Sequence, residues 1–332
     1  MQLRQMGRDG PSISPIGIGA MSFSDFYGPT DVSASLAILE LAMDLGITHI
    51  DTSNVYGMGQ SEQAIGQFLK ARPGSRDLVH IGTKAAISRD ADGNRIFDNS
   101  AKHLEAELDK SLKRMGIEAV DLFYIHRRDP DMAIEEATEN LAQLVRSGKA
   151  RAIGFSEIAP STLRRASAVF PIAAVQSEYS LSTRSPELGL VQTCAELGTA
   201  LVAFSPVGRS LLTDHPLSRE AIATLPFLAG NPRFMEPDFS ANLAATEGLR
   251  QLAADMQTPT AALAIAWLLH QGDHVIPIPG TRSPEHFREL VAGVDLRLTG
   301  DDLTRIEQVL PVGWSHGDRY NQGQWIGPER YC

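Results

Sequence analysis

The stretch GITHIDTSNVYG (46–57) decides how the rest of the chain is read. Its first half, GITHI, is a short apolar run of the length expected for a buried strand. Asp51 then falls where that strand should end, and Tyr56 follows five residues later in what should be a surface loop. An acid at a strand end with a phenol just beyond it is either ordinary loop chemistry or half of a proton-transfer device completed elsewhere.

Working outward, similar runs recur. They are PIGIGAM (15–21), THIDT (48–52), LVHIGTK (78–84), DLFYIH (121–126), ARAIGFS (150–156), AAVQSEY (173–179), ALVAFSP (200–206) and HVIPIPG (274–280). Between them lie helix-length segments. Residues 31–46 end in Gly46, a C-terminal stop, and 61–70 open on a serine. Residues 99–116 carry Asn/Ser at the start and Lys/Arg in the last turn, as the helix dipole favours. Residues 131–148, 160–169, 185–198 and 258–271 behave similarly. Strands alternating with helices point to a parallel sheet covered by helices, and eight such units favour a closed (β/α)₈ TIM barrel over an open sheet. Three pieces lie outside the repeat. Residues 2–14 read as a hairpin closing the barrel bottom. Residues 207–257 form a long insertion after strand seven, and 300–332 add one helix and a glycine-rich tail. No linker or second core is visible, so 1–332 is expected to be a single domain.

Bulk composition narrows the function classes. The 332 residues are 43% hydrophobic and 21% charged, with a formal charge of −10. That profile is of a soluble globular protein and argues against nucleic acid or an anionic membrane as partner. Two cysteines, Cys194 and Cys332, and no apolar leader suggest a reducing, cytoplasmic setting. The longest apolar run, 261–269, is too short to span a bilayer.

A barrel places its chemistry at the C-terminal ends of its strands. Those ends are Asp51, Lys84, His126, Ser156, Gln176, Ser205 and Gly280. The first three, with Tyr56, lie on consecutive units. A tyrosine titrates near 10 and donates poorly at neutral pH unless its phenolate is stabilised. Lys84 nearby would lower its pKa, and Asp51 would keep Lys84 charged. His126 could orient a carbonyl oxygen or stabilise charge developing on it. Such a set suits carbonyl reduction, with hydride to carbon and a proton to oxygen, and needs no metal. Taken singly, Asp51–Lys84 could be a structural pair, Tyr56 a space-filler and His126 one of nine structural histidines. Their joint placement carries the reading.

The hydride requires a cofactor. GIGAMS (17–22) has Ser22 where a dinucleotide fingerprint needs its last glycine, so it reads as a tight turn. FSPVGRSLL (204–212) and PIPGTRSPEHFREL (277–290) are better candidates. The second opens a helix after strand eight, where backbone N–H groups bind phosphate, and Arg282 suits the extra phosphate of NADP. Ser283-Pro284-Glu285 could equally be only a helix cap.

Together DTSNVYG, GTK, YIH, GFSE, QSEYSL, AFSPVGR and IPGTR, in order over nearly the whole length, resemble the aldo-keto reductases. YIHRRDP, QSEYSL and SPVGR look most like the perakine reductase and auxin-induced-protein-like subgroup. The resemblance implies a barrel binding NADPH (NADP+) in an extended pose, with a tetrad of Asp51, Tyr56, Lys84 and His126 and Tyr56 as the acid. It implies that Ser156 and Gln176 hold the carboxamide and that Phe204 stacks on nicotinamide. Ser205, Pro206, Val207, Gly208, Arg209 and Leu211 should line the pyrophosphate. Gly280, Thr281, Arg282, Ser283, His286 and Glu289 should surround the adenosine 2′-phosphate and adenine. Gly19, Ala20 and Met21 should border nicotinamide and substrate. Glu157 stands where many members have Asn, Leu290 where Asn is usual, and Gly280 where one branch has a phosphate-binding Lys.

Other readings predict different behaviour. An NADPH-binding regulatory protein, resembling the potassium-channel β subunits, would bind without appreciable turnover. A Schiff-base aldolase would use Lys84, which Asp51 opposes. A metal-dependent hydrolase would need an H-x-H on a strand, and none is found. The expected partner is a small carbonyl compound, and the oligomeric state is open. Met21, Phe23, residues 207–240 of the insertion and the tail should form the substrate pocket, whose aromatic and apolar content points to a neutral hydrophobic carbonyl. Arg127 and Arg128 could bind an anionic group or form a solvated face.

Overall fold

The computed structural model describes residues 1–90 and 92–331, so Cys332 lies outside the described residues. The chain opens with a hairpin, β1 (Arg4–Gln5) and β2 (Ser12–Ile13). β3 (Gly17–Gly19) leads to α1 (Val32–Asp44), and β4 (His49–Asp51) to α2 (Gln60–Ala71). β5 (His80–Ala85) is followed by a second hairpin, β6 (Ile87–Arg89) and β7 (Arg95–Phe97), and by α3 (Ala101–Met115). Next come β8 (Val120–Ile125), α4 (Ile134–Arg146), β9 (Ala150–Ser156), α5 (Pro160–Val169), β10 (Ala174–Glu178), α6 (Leu190–Leu197) and β11 (Ala200–Phe204). The insertion holds α7 (Arg219–Ala223), α8 (Pro226–Ala229) and α9 (Asp238–Asp255). α10 (Thr260–His270), β12 (Val275–Pro277), α11 (Pro284–Ala292) and α12 (Gly300–Val309) complete the chain.

The eight expected strands pair in parallel in the order β12-β11-β10-β9-β8-β5-β4-β3. The ring is brought together where the first and last strands meet, and the Gly19 N–H donates to the Pro279 carbonyl at 2.8 Å. Glycine is required at that seam. A Cβ on Gly19 would stand 2.6 Å from the Ile278 carbonyl oxygen, and one on Gly280 would stand 2.4 Å from the Gly19 carbonyl oxygen. Two of the expected cofactor glycines are thus also the contact that closes the barrel.

The strands are buried on both faces, as a parallel sheet under helices requires. Ile50, Ile81, Phe123 and Ile153 belong to the large apolar cluster. Leu122, Tyr124, Val202 and Ile276 form a separate cluster with Met6 and Ile13 of the first hairpin. The helices start where side chains can accept their free amides. Asp31 accepts from Ala34 N, Ser100 from His103 N and Ser283 from His286 N. No helix among the described residues is long and apolar enough to cross a membrane.

The tail is tied to the insertion and to the ends of the barrel strands. Asn321 and Gln324 donate to the carbonyls of Gly230 and Phe227, Trp314 donates to Leu181, and the Glu329 N–H donates to the Glu157 carbonyl. Phe23, expected in the substrate pocket, is instead buried in the main core. Phe26 takes its place beside the insertion, its ring 5.1 Å from that of Phe227.

Candidate active site

The loop after β4 is positioned through its backbone. Thr52 N donates to the Gly82 carbonyl and Asn54 N to the Lys84 carbonyl, so DTSN rides on β5 beyond its own strand. The Asn54 amide donates to Glu107 of α3 at 2.8 Å, and Thr52 and Ser61 share a 2.8 Å hydroxyl contact. His126 follows β8, its N–H on the Ala85 carbonyl. Three neighbouring strands thereby deliver Asp51, Lys84 and His126 to one end of the barrel.

The Lys84 ammonium donates to Asp51 Oδ1 at 2.5 Å and to the Thr52 carbonyl at 2.7 Å. Both side chains of the pair are buried. The Gln176 amide donates to Asp51 Oδ2 at 2.8 Å, so both carboxylate oxygens are held. Lys84 Nζ lies 5.2 Å from the centre of the half-buried Tyr56 ring. The His126 ring meets Tyr56 edge-on, 5.9 Å between centroids at 84°. His126 Nδ1 lies 3.1 Å from Ser53 Oγ. The four residues therefore converge around one phenol.

The electrostatics differ from the sequence-based expectation in one respect. Burial, and then the Asp51 carboxylate, push the Tyr56 pKa up, and the cation that opposes the rise is Arg127. Lys84 had been expected to lower it. Its ammonium is instead neutralised by Asp51 at contact distance, so the ring meets a closed ion pair rather than a free charge. Burial pulls the Lys84 pKa down against the attraction of Asp51. Burial, reinforced by Arg127 and Lys84, holds His126 well below its ordinary value, so the imidazole is neutral.

The expected cofactor residues fall into two groups along the rim. Near the tetrad are Gly19, the buried Ala20 and the half-buried Met21. Ser156 is buried, and its hydroxyl accepts from Arg127 Nη1 at 3.1 Å. Gln176 points its amide at Asp51. Phe204 is half-buried at the end of β11. Around α11, Gly280 and Arg282 are exposed and Thr281 is half-buried. Ser283 caps the helix, His286 stacks on His215 at 5.8 Å, and Glu289 is half-buried. Among the described residues Arg282 makes one bond, to the Pro29 carbonyl, which leaves most of its fork open.

The turn after β11 is strained, with Ser205 at φ 51° and Arg209 at φ 54°. Pro206 and Gly208 are buried there and Val207 half-buried, while Leu211 packs with Leu228 and Phe234. The Arg209 side chain is buried. It donates to Glu178 at 2.6 Å and lies over the rings of Phe227 and Tyr320.

Arg127, left open in the sequence between an anion binder and a solvated face, turns inward: it donates to its neighbour's carbonyl, that of His126, at 2.7 Å and reaches Ser156. A buried charge network escaped the sequence reading altogether. Glu157, at φ 58°, pairs with Arg319 of the tail through both carboxylate oxygens. Glu178 faces Arg209, Arg233 and Arg319. Burial alone would raise both carboxyls, and the arginines more than reverse it, so both stay below the usual carboxylate range. The signal available was an acid at each of two strand ends, in GFSE and QSE, which calls for cations from distant segments.

Comparisons with known proteins agree with this architecture. The Aldo/keto reductase family profile matches residues 15–311. The chain is 34% identical over 324 residues to the aldo-keto reductase yakc [NADP(+)] of Schizosaccharomyces pombe, covering 96% of this chain and 94% of that one. It is 35% identical over 320 residues to the probable aldo-keto reductase 1 of Glycine max, covering 96% and 92%. Among solved structures, the glycerol dehydrogenase AKR11B4 from Gluconobacter oxydans superposes with a TM-score of 0.80 at 26% identity, over 93% of this chain and 94% of that one. The thermostable aldo-keto reductase Tm1743, in complex with the inhibitor epalrestat, gives 0.74 at 26% identity over 93% and 100%. With the family's profile over most of its length, these relatives and an eight-stranded barrel, the chain belongs to the aldo/keto reductase family.

Proposed function

We propose that the protein is an NADPH-dependent oxidoreductase that reduces aldehydes and ketones to alcohols, with Tyr56 as the proton donor. The observation that carries this reading is the convergence of Tyr56 and a neutral His126 on a fully held Asp51–Lys84 pair. A protonated phenol beside a cation and a neutral imidazole suits delivery of a proton to oxygen. The fungal relative has NADP(+) in its name, and the donor set here fits such a dinucleotide. The capped N-terminus of α11 and the open fork of Arg282 suit a 2′-phosphate. Arg209, already committed to Glu178, contributes to the shape of the turn rather than a free charge. YIHRRDP, QSEYSL and SPVGR favour the perakine reductase and auxin-induced-protein-like subgroup.

When bound, the reduced nicotinamide supplies the hydride. This chain's residues manage the proton. The Tyr56 hydroxyl donates to the carbonyl oxygen as negative charge builds there. Lys84, kept charged by Asp51, lies beside the phenolate that remains. Thr52 and Gln176 fix the pair's orientation. When the Ser53 hydroxyl donates to His126 Nδ1, Nε2 carries the ring proton and offers a second donor to the oxygen. The test is loss of 340 nm absorbance from NADPH with 4-nitrobenzaldehyde, wild type beside Tyr56→Phe. The variant is expected to lose at least about 100-fold in kcat while still binding NADPH. Equal rates would remove Tyr56 from the chemistry, and tight binding without turnover in either protein would favour a sensor.

A further inference from the structure

The rim of the barrel is rich in arginine, and most of these arginines are committed. Arg128 pairs with Glu329, Arg319 with Glu157, and Arg209 and Arg233 with Glu178. Arg127 differs. Among the described residues no carboxylate lies within ion-pair distance of it, although it is half-buried and adjoins His126. Its Nη1 is used on the His126 carbonyl and Ser156 Oγ, which leaves the rest of the fork unassigned. Its stem is clamped. A Cβ on Gly327 of the tail would stand 3.0 Å from Arg127 Cδ and 2.7 Å from the Phe97 ring of β7, so tail and hairpin together aim the side chain. Arg95 of the same hairpin also lacks an ion-pair partner among the described residues. It spends one nitrogen on two tail carbonyls, Gly323 and Ile326, and burial and then the charge of Arg127 depress its pKa.

A half-buried cation beside a reacting centre, with a second cation nearby, the Glu157 carboxylate only beyond ion-pair distance and most of its fork unspent, can take on a further anion. The cofactor's phosphates are an unsuitable source of that anion. The pyrophosphate is expected along the turn after β11 and the 2′-phosphate at Arg282 and the N-terminus of α11, after β12, the seventh and eighth barrel strands. Arg127 follows β8, the fourth, three and four strands away from these in the ring of eight. We propose that Arg127 recognises a carboxylate on the substrate, so that the preferred carbonyl compound is an aldehyde or ketone bearing an acid group. This rests on the reductase reading above and narrows its substrate class. It also revises the expectation of a neutral carbonyl, since the aromatic tail residues frame a positive rim.

The test compares 2-, 3- and 4-formylbenzoate with their methyl esters in wild type and Arg127→Met, under saturating NADPH. Each ester keeps the ring and aldehyde and deletes only the charge. In wild type at least one acid is expected to exceed its ester roughly 10- to 100-fold in kcat/KM, chiefly through KM. In Arg127→Met that preference should vanish while the ester rates stay measurable. Arg127→Lys should keep part of it, since a point charge replaces a bidentate fork. Wild type that handles every ester as well as its acid overturns the inference and leaves the reductase reading standing. An equal loss for acids and esters in Arg127→Met also overturns it and makes Arg127 a positioning residue for His126 and Ser156. Turnover of none of the six compounds removes the reductase reading, and the inference with it.

Discussion

Tyr56 is a weaker acid in this fold than in water, and the weakness has a direction. Its folded pKa is raised by burial and by Asp51, so the protonated form persists throughout the neutral range. In the proposed reaction, reduction uses that form. Alcohol oxidation by the same route needs the phenolate, which is scarce until the pH approaches the raised value. Reduction is therefore expected to be nearly flat from pH 6 to 9 and oxidation to climb steadily across the same interval. His126 adds no break near 6.5, because its pKa lies well below that value and the ring is already neutral. Steady-state profiles in both directions check this, and an acid limb centred near 6.5 in reduction would show that His126 titrates after all. The positions of Asp51, Lys84 and His126 were legible in the sequence because strand ends are legible: an apolar run stops and a polar residue stands at its edge, and Tyr56 was legible as the phenol in the loop that follows. Which cation acts on Tyr56 was not. That depends on Lys84 being closed onto Asp51 and on Arg127 turning inward after His126, and neither is a property of spacing.

At the scale of the elements, β4 and β5 begin with histidines that pair in register, His49 opposite His80. Their Nδ1 atoms are 3.1 Å apart, both rings are buried, and His49 Nε2 has no hydrogen-bond partner. Burial lowers both pKa values. For His49 the nearby Asp51 and Asp121 oppose this and Lys84 adds to it, and for His80 the neighbouring His49, Arg76 and Arg151 push further down. A histidine kept neutral by folding contributes stability that is complete above its unfolded pKa of about 6.5 and is lost as pH falls below it, at up to about 1.4 kcal/mol per pH unit per proton. His80→Gln is therefore expected to flatten the loss of Tm between pH 7.5 and pH 5, whatever it does to Tm at the upper end. An unchanged pH dependence in the variant would assign the acid sensitivity elsewhere. The barrel strands themselves were readable as apolar runs: six lie within their expected ranges, and β5 and β8 each overrun theirs by one residue, at Ala85 and Val120. The hairpin β6–β7 was not, because SRDADGNRIF (88–97) is polar and its order comes from local turn chemistry, with Asp90 accepting the amides of Asp92 and Asn94.

For the molecule as a whole, the barrel could be built from its own repeat, whereas the poses of residues 207–240 and of the tail could not, since each is held mainly by the other. Their junction is electrostatic as well as apolar. Arg319 enters from the tail, meets Glu157 and Glu178 at two strand ends, and stacks on Tyr320 and Trp325 at 4.7 Å each. Removing Arg319 leaves Glu178 with Arg209 and Arg233, but it deprives Glu157 of its only ion-pair partner among the described residues. An uncompensated buried carboxylate is costly, so Arg319→Met should destabilise by roughly 3–5 kcal/mol. The loss should fall on the tail first, because the strands keep their ladders. Chymotrypsin offers a local readout, since the buried Tyr320 and half-buried Trp325 are shielded only while the tail stays docked. Cleavage there is expected to quicken at least tenfold in Arg319→Met while far-UV circular dichroism stays unchanged. Adding Glu157→Gln should recover part of the protection, because a neutral amide tolerates burial far better than a lone carboxylate. If the single variant is cut no faster than wild type, the tail is held by the Trp314, Asn321 and Gln324 hydrogen bonds, and the charge network instead fixes the positive-φ turn at Glu157 beside Ser156.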